Sequence, residues 1–208
     1  MNARNEILNR IKTVRNERSL FHDFAQNPEA KIYKPILPDA LSCFKNEIEA
    51  VSGKCIVCEN EQYMYEKIRH FVDERGFSYL FCRDKAIAEK LSINKIPFSA
   101  EYEDFEAMEA GITTCEFLVA RTGSIMVSSA SPSGQKLHIY PPVHIVIAHH
   151  SQLVDYVEDA LLAIRKKYGN DLPSTISTIT GPSRTADIEK TLVLGAHGPK
   201  EIVVFISK

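Results

Sequence analysis

Residues 54–82 read KCIVCENEQYMYEKIRHFVDERGFSYLFC, and this stretch decides the fold. It opens on a short apolar run, Lys54 to Glu59, with the length and composition of a buried strand. Asn60 then stands where a helix cap is wanted, since its side chain can accept a hydrogen bond from a free first-turn amide. Tyr63, Met64, Lys67, Ile68, Phe71 and Val72 populate the faces of a helix running to about Arg75, and Gly76 is placed to end it. Ser78 to Cys82 is a second apolar run. Strands that are apolar on both faces, joined by a helix, predict parallel pairing in a sheet covered on each side.

The same pattern extends in both directions. Upstream, Leu41, Phe44, Ile48 and Val51 give helix spacing, with Gly53 behind them. Downstream, Asp84 can cap a short helix to Leu91. Strands are expected over 116–120, 124–129, 143–148, 174–180 and 201–207, and helices over 151–168 and 183–194. From about 115 to 148 strands follow one another with no helix between, which predicts antiparallel pairs or a small excursion from the main sheet. The expected class is α/β, a mostly parallel sheet with flanking helices. Residues 5–18 carry a narrow helical stripe of Ile7, Leu8, Ile11 and Val14, suited to lie against the body of the protein or a partner. Residues 19–39 hold Pro28, Pro35 and Pro38 and read as an irregular connection. The expected division is an extension over 1–38 and an α/β domain over 39–208.

The 208 residues are 44% hydrophobic and 25% charged, an ordinary globular balance that argues against wholesale disorder. Lys and Arg total 25 against 27 Asp and Glu, a net charge of −2. Such a chain has no strong basic field for a nucleic-acid backbone or an anionic membrane. No apolar run approaches the ~20 residues of a membrane span, and the charged N-terminus lacks the apolar core of a secretion signal. Cytoplasmic residence is expected. Cys43, Cys55, Cys58, Cys82 and Cys115 form an odd, sparse set rather than a disulfide framework. Cys55 and Cys58 share a predicted strand, where residues three apart face opposite ways. Buried structural thiols are expected, and no metal site is assigned.

Three stretches are candidates for chemistry, taken to lie at carboxyl ends of strands beside helix N-termini, where open α/β sheets collect ligands. Thr180-Gly-Pro-Ser-Arg-Thr-Ala-Asp-Ile-Glu189 follows one expected strand and opens an expected helix. It reads equally as a well-capped helix or as an anion pocket. In the pocket, the backbone at Gly181, the hydroxyls of Ser183 and Thr185 and the guanidinium of Arg184 converge on a phosphate or carboxylate. In Gly195-Ala-His-Gly-Pro199, His197 stands among turn-forming residues and reads as a structural histidine bonded to backbone or as a candidate base or orienting group. The third combines Arg121-Thr122-Gly123-Ser124, with hydroxyls and an approachable backbone, and Tyr140-Pro-Pro-Val-His144. His144 reads as a base, a ligand or a buried histidine with a satisfied ring. The phosphate and dinucleotide glycine loops and the Gly-x-Ser-x-Gly elbow are absent.

Ala120-Arg-Thr-Gly-Ser124, Pro142-Val-His-Ile145, the long string over 180–189 and Gly195-Ala-His-Gly-Pro199, in this order, resemble the LUD-domain family and its lactate utilization protein C branch. The resemblance covers roughly residues 40–208. It implies a fold like that of the sugar-phosphate isomerases and coenzyme A transferases. It also implies a role in oxidising L-lactate to pyruvate beside iron–sulfur and cysteine-rich partner subunits, in a subunit with no redox centre of its own. Two positions depart from the family pattern. Arg121 stands where an acidic residue is common, and Gln135-Lys136 where an arginine is common. The function expected is therefore a subunit of a lactate oxidation system that binds a small anionic metabolite, with its cofactor and oligomeric state open. The alternative is a stand-alone enzyme acting on a phosphorylated or coenzyme A-linked metabolite.

Overall fold

A computed structural model describes residues 3–16, 35–78, 80–101, 108–186, 192–195 and 197–208. The chain divides into two units, Met1–Pro35 and Ile36–Lys208. The first holds α1 (Ala3–Asn16), on which Ile7, Leu8 and Ile11 are exposed. Most of the expected connection over 19–39 lies outside the described residues.

In chain order the second unit runs through α2 (Ala40–Ala50), β1 (Lys54–Cys58), α3 (Glu61–Arg75), β2 (Leu80–Phe81), α4 (Lys85–Ile93), β3 (Phe98–Ser99) and β4 (Ala110–Thr114). Then come β5 (Phe117–Val119), β6 (Ser124–Ser128), β7 (Val143–His149), β8 (Leu153–Val154), α5 (Val157–Tyr168) and β9 (Ile176–Ile179). The chain ends through β10 (Arg184–Ala186), β11 (Leu192–Leu194) and β12 (Glu201–Ser207). Local chemistry sets the helix boundaries. Asn60 accepts a hydrogen bond from the Tyr63 amide at 2.8 Å, and Gly76 closes α3 at φ +65°. Asp39 and Asp84 cap α2 and α4 in the same way. At the end of α2 the left-handed residue is Ser52, at φ 69°, while the Gly53 amide donates back to the Ile48 carbonyl.

The main sheet has six strands in the order β1-β12-β7-β4-β2-β3, every neighbouring pair parallel. One face is covered by α3 and α4 through Met64, Ile68, Val72, Ile87 and Leu91, packed on Ile112, Ile145, Val203 and Phe205. The opposite face carries Val146, Val204 and Ile206 against Phe44 and Ile48 of α2 and Leu118, Ile125 and Val127 of a second sheet. That sheet is the excursion expected from the middle of the sequence. Its order is β8-β5-β6-β9, with β5–β6 and β6–β9 antiparallel. Its alternate residues, Val119 and Met126, face outward onto Ala160 and Ile164 of α5. Alternation at period two thus sends each strand's residues to two different cores. Cys55 belongs to one core and Cys58 to the other, as their spacing on a strand requires.

Three expectations are corrected. Helix α5 starts at Val157 rather than Ser151, because residues 150–152 form a 3-10 turn and β8 pairs in parallel with β5. The central strand β4 was not anticipated. Most consequentially, no helix forms over the described residues of 183–194. Arg184, Thr185 and Ala186 pair in antiparallel register with Leu194, Val193 and Leu192. Cap-like residues are a local cue, and this pairing is made across a connection that the cue does not see. Asp187 and Glu189 of the 180–189 string lie outside the described residues.

Candidate functional site

The site starts from a glycine inside the central strand. A Cβ on Gly111 of β4 would come within 2.6 Å of Pro141 Cγ and 3.2 Å of Leu137 Cδ2. The bare backbone lets the loop before β7 settle onto the sheet, a common reason for glycine in a strand interior. That loop carries a 3-10 turn over Lys136–His138, in which Leu137 and His138 are buried. His138 is thereby packed against His144, the second residue of β7, with ring centroids 5.7 Å apart. His144 is fully buried, and its Nε2 is hydrogen-bonded to the Thr113 hydroxyl of β4 at 2.8 Å. Burial pushes His138 down to about 4. Burial, reinforced by His138, pushes His144 down to about 3. Both rings are neutral at neutral pH.

His138 forms part of the wall of a cavity of about 320 Å³. The cavity is bounded by Val127 and Ser128 of β6, Ser177, Thr178 and Ile179 of β9 and Ile202 of β12. The 135–139 loop and the two segments Gly181–Ser183 and His197–Pro199 complete it. Its size suits a small metabolite. The two late segments are tied together by backbone. The Ser183 amide donates to the Pro199 carbonyl at 2.9 Å, and the Ser183 carbonyl accepts from the Gly195 amide at 2.9 Å. Gly198 allows the contact, since a Cβ there would lie 3.1 Å from Ser183 Cβ. The cavity therefore lies beside the amino ends of β7 and β12, and not at the carboxyl edge where the sequence pattern placed it. The Ser183 amide is engaged, and no helix dipole points at the cavity from residues 183–186, so the expected anion pocket at a helix N-terminus is not formed.

A family model, that of the LUD domain, matches residues 41–207. The chain belongs to the LUD domain family. It is 29% identical to lactate utilization protein C of Bacillus licheniformis, over 92% of this chain and 90% of that protein. Lactate utilization protein C of Bacillus subtilis is 38% identical over 45% of this chain and 40% of its own length. An uncharacterized protein of Neisseria meningitidis is 35% identical over 49% of this chain, a match that spans 43% of that protein. Among solved structures, a DUF162 family protein from Deinococcus radiodurans shares the fold. Its TM-score is 0.61 at 16% identity, over 81% of this chain and 96% of that one.

The residues singled out in sequence separate in this LUD domain into two groups. His197, Gly181 and Ser183 reach the cavity, with His197 exposed at its wall. His144 lies behind His138. The others lie outside the cavity wall, and two of them, Gly123 and Arg184, meet α2 or its C-terminal end. Gly123 packs under the helix, and Ser124 hydrogen-bonds Thr122 and Thr180, each at 2.7 Å. Thr122, Gly123 and Ser124 do not line the cavity, and neither does Thr185, which pairs with Val193. Arg184 donates to the Val51 carbonyl and to the Ser52 hydroxyl at the C-terminal end of α2, where a cation complements the helix dipole. Arg184→Ala is accordingly expected to lower stability by about 1 kcal/mol and to leave binding in the cavity unchanged, as thermal melts with and without ligand would report. His138 was missed. Its signal was weak, one histidine in a polar loop, and the glycine and threonine of β4 that set its position do not read as parts of a site.

Proposed function

We propose that this protein is a cytoplasmic subunit of an L-lactate oxidation system, lactate to pyruvate, that carries no redox centre of its own and holds a small anionic metabolite in the cavity beside His138 and His197. The observation that carries this reading is the likeness to a lactate utilization protein C along nearly the whole of both chains. The thiols support it. All five cysteines are buried, and burial pushes Cys55, Cys82 and Cys115 up to about 12. Cys55 and Cys58 moreover belong to different cores, so the Cys-x-x-Cys pair does not converge on one centre. Electron transfer then falls to iron–sulfur and cysteine-rich partner subunits. Among the described residues, no helix is long and apolar enough to cross a membrane.

The alternative, a stand-alone enzyme for phosphorylated or coenzyme A-linked metabolites, has less support. Among the described residues of the cavity wall none is a lysine or arginine, and phosphate recognition normally draws on such side chains. Reconstitution decides between the two. With partner subunits purified from the source organism, L-lactate-dependent reduction of an artificial electron acceptor should fall by about tenfold or more when this chain is omitted. Pull-down of the tagged chain at native abundance should recover iron–sulfur proteins. Full activity without it, together with recovery of the chain alone, overturns the proposal.

A further inference from the structure

The carboxyl edge of the main sheet carries a second pocket, of about 380 Å³, on the side of α3. Along β4, β7 and β12, Ile112, Ile145, Ile147, Val203 and Phe205 belong to the core beneath α3 and α4. At period two, Thr114, His149 and Ser207 fall on that same face, each at the last position of its strand. His149 and Ser207 are direct partners in the β7–β12 register, and Thr114 pairs with Ile147, two residues before His149. All three line the pocket, together with Met64 and Glu61 of α3 and with Lys208. Strand ends at this edge are where open α/β sheets hold ligands. The first cavity is elsewhere. Its Ile202 lies five residues back along β12, about 16 Å away, and on the opposite face of the sheet.

The polar groups of this wall are largely unspent. Ser207 is 4% exposed, and its hydroxyl has no hydrogen-bond partner among the described residues. The unpartnered atoms sealed from solvent are His138 Nε2, His144 Nδ1 and Ser133 Oγ, so the small surface that Ser207 keeps includes its Oγ. A buried hydroxyl without a partner is uncommon and marks a place for one. The Thr114 hydroxyl is likewise unpaired among the described residues. His149 Nδ1 accepts from the Ser151 amide at 3.1 Å, which leaves the ring proton on Nε2 as a donor. Gln152 fixes this strand end, donating to the Cys115 carbonyl at 2.6 Å and accepting from the His149 amide at 2.7 Å. Glu61 keeps Oε1 as an acceptor, its Oε2 being held by Lys90 at 3.0 Å. Fixed donors, a fixed acceptor and hydroxyls that do both thus share one wall with apolar Met64, Ile147 and Ala148. An anion here faces Glu61, and a cation faces Lys208. Vicinal hydroxyls match such a wall, because each of them both donates and accepts. We propose that this pocket is a second binding site, which takes an uncharged ligand through a vicinal diol, the ribose of a nucleoside or the free sugar. Glu61 has the part that an acidic side chain plays toward ribose in other sheets of this layout. The site is separate from the anionic metabolite of the first cavity and does not depend on the subunit role.

The test is titration of the full-length protein with adenosine, D-ribose, 2′-deoxyadenosine and AMP, followed by amide NMR shifts, for the wild type, Ser207→Ala and Thr114→Val. Both substitutions remove a hydroxyl at nearly constant volume, and melting curves establish that the variants fold. Adenosine and D-ribose should bind. 2′-Deoxyadenosine, which lacks the diol, should bind about tenfold more weakly than adenosine or worse, and AMP should stay within about threefold of adenosine. Each variant should weaken adenosine and ribose by about fivefold or more. The shifts should centre on Thr114, His149 and Ser207 and leave Ser177 and Ser183 of the first cavity in place. Adenosine binding tighter than D-ribose identifies a nucleoside as the source of the diol, and otherwise the free sugar is the source; either supports the site. Binding of neither, equal binding of 2′-deoxyadenosine, or AMP binding about tenfold tighter than adenosine overturns the ligand class. Unchanged affinity in both variants overturns the location. The subunit role fails separately, through reconstitution.

Discussion

Gly123→Ala is expected to remove about 4 kcal/mol from the stability measured by urea unfolding, whereas Gly76→Ala should remove about 1. Both glycines are left-handed, at φ +60° and +65°, so an alanine at either carries the same backbone penalty of about 1 kcal/mol. Their surroundings differ. Around Gly76 nothing lies within 4 Å of an added Cβ. At Gly123 the added atom would stand 2.2 Å from the Ile48 amide nitrogen and 2.7 Å from Ile48 Cα. Those are backbone atoms of α2, and no rotamer change can clear them. The helix would have to lift, yet Phe44 and Ile48 fix it in the core at 0% exposure. Overpacking against so constrained a neighbour accounts for the further ~3 kcal/mol. Gly181 makes a second seat for the same helix, with the Val51 carbonyl 2.7 Å from its would-be Cβ. Equal losses at Gly76 and Gly123 would show that α2 is not held in this way.

Those two glycines also explain what could and could not be read from the chain. The strand–helix–strand at 54–82 was legible because each boundary is set locally, by Asn60 and Gly76 acting within a few residues of themselves. The opposite orientations of Cys55 and Cys58 follow from the strand period alone. The helix expected from the 180–189 string is not seen because Arg184, Thr185 and Ala186 pair across to 192–194, and Ser183 bonds to Pro199 and Gly195. Strand β4 escaped for a related reason. Gly111 and Thr113 weaken its apolar pattern, and both are there for distant partners, Pro141 and His144. The residues that seat the 135–139 loop and His138 are thus those whose identity is set by contacts far away in sequence. Motif residues such as Gly123 and Arg184, expected among the ligand binders, contact α2 and its C-terminal end and do not line the cavity.

Glu116→Gln is expected to cost about 2 kcal/mol near neutral pH, with the deficit shrinking in acid. Glu116 is 8% exposed and lies where the outer face of the second sheet meets the end of α5. Its carboxylate accepts from the Ser128 hydroxyl at 2.6 Å, the Tyr168 hydroxyl at 2.7 Å and the Lys167 ammonium at 2.8 Å. Burial alone would raise its pKa. The hydrogen bonds from Lys167, Ser128 and Tyr168, together with the charge of Lys167, outweigh burial and hold it below the ordinary value of 4.5. Lys167 is 56% exposed, so water screens the ion pair and the hydroxyl donors carry much of the effect. A glutamine presents one acceptor oxygen where two are in use, and its NH2 group meets donors. Because the folded protein keeps this carboxylate ionised more firmly than the unfolded chain does, its contribution is complete above pH 4.5 and is lost as pH falls through the lower folded value. The wild-type and Glu116→Gln stability curves, measured by denaturant at a series of pH values, should therefore converge on the acid side. A gap that stays constant, or widens below pH 4, would mean that Glu116 acts through its shape and not its charge.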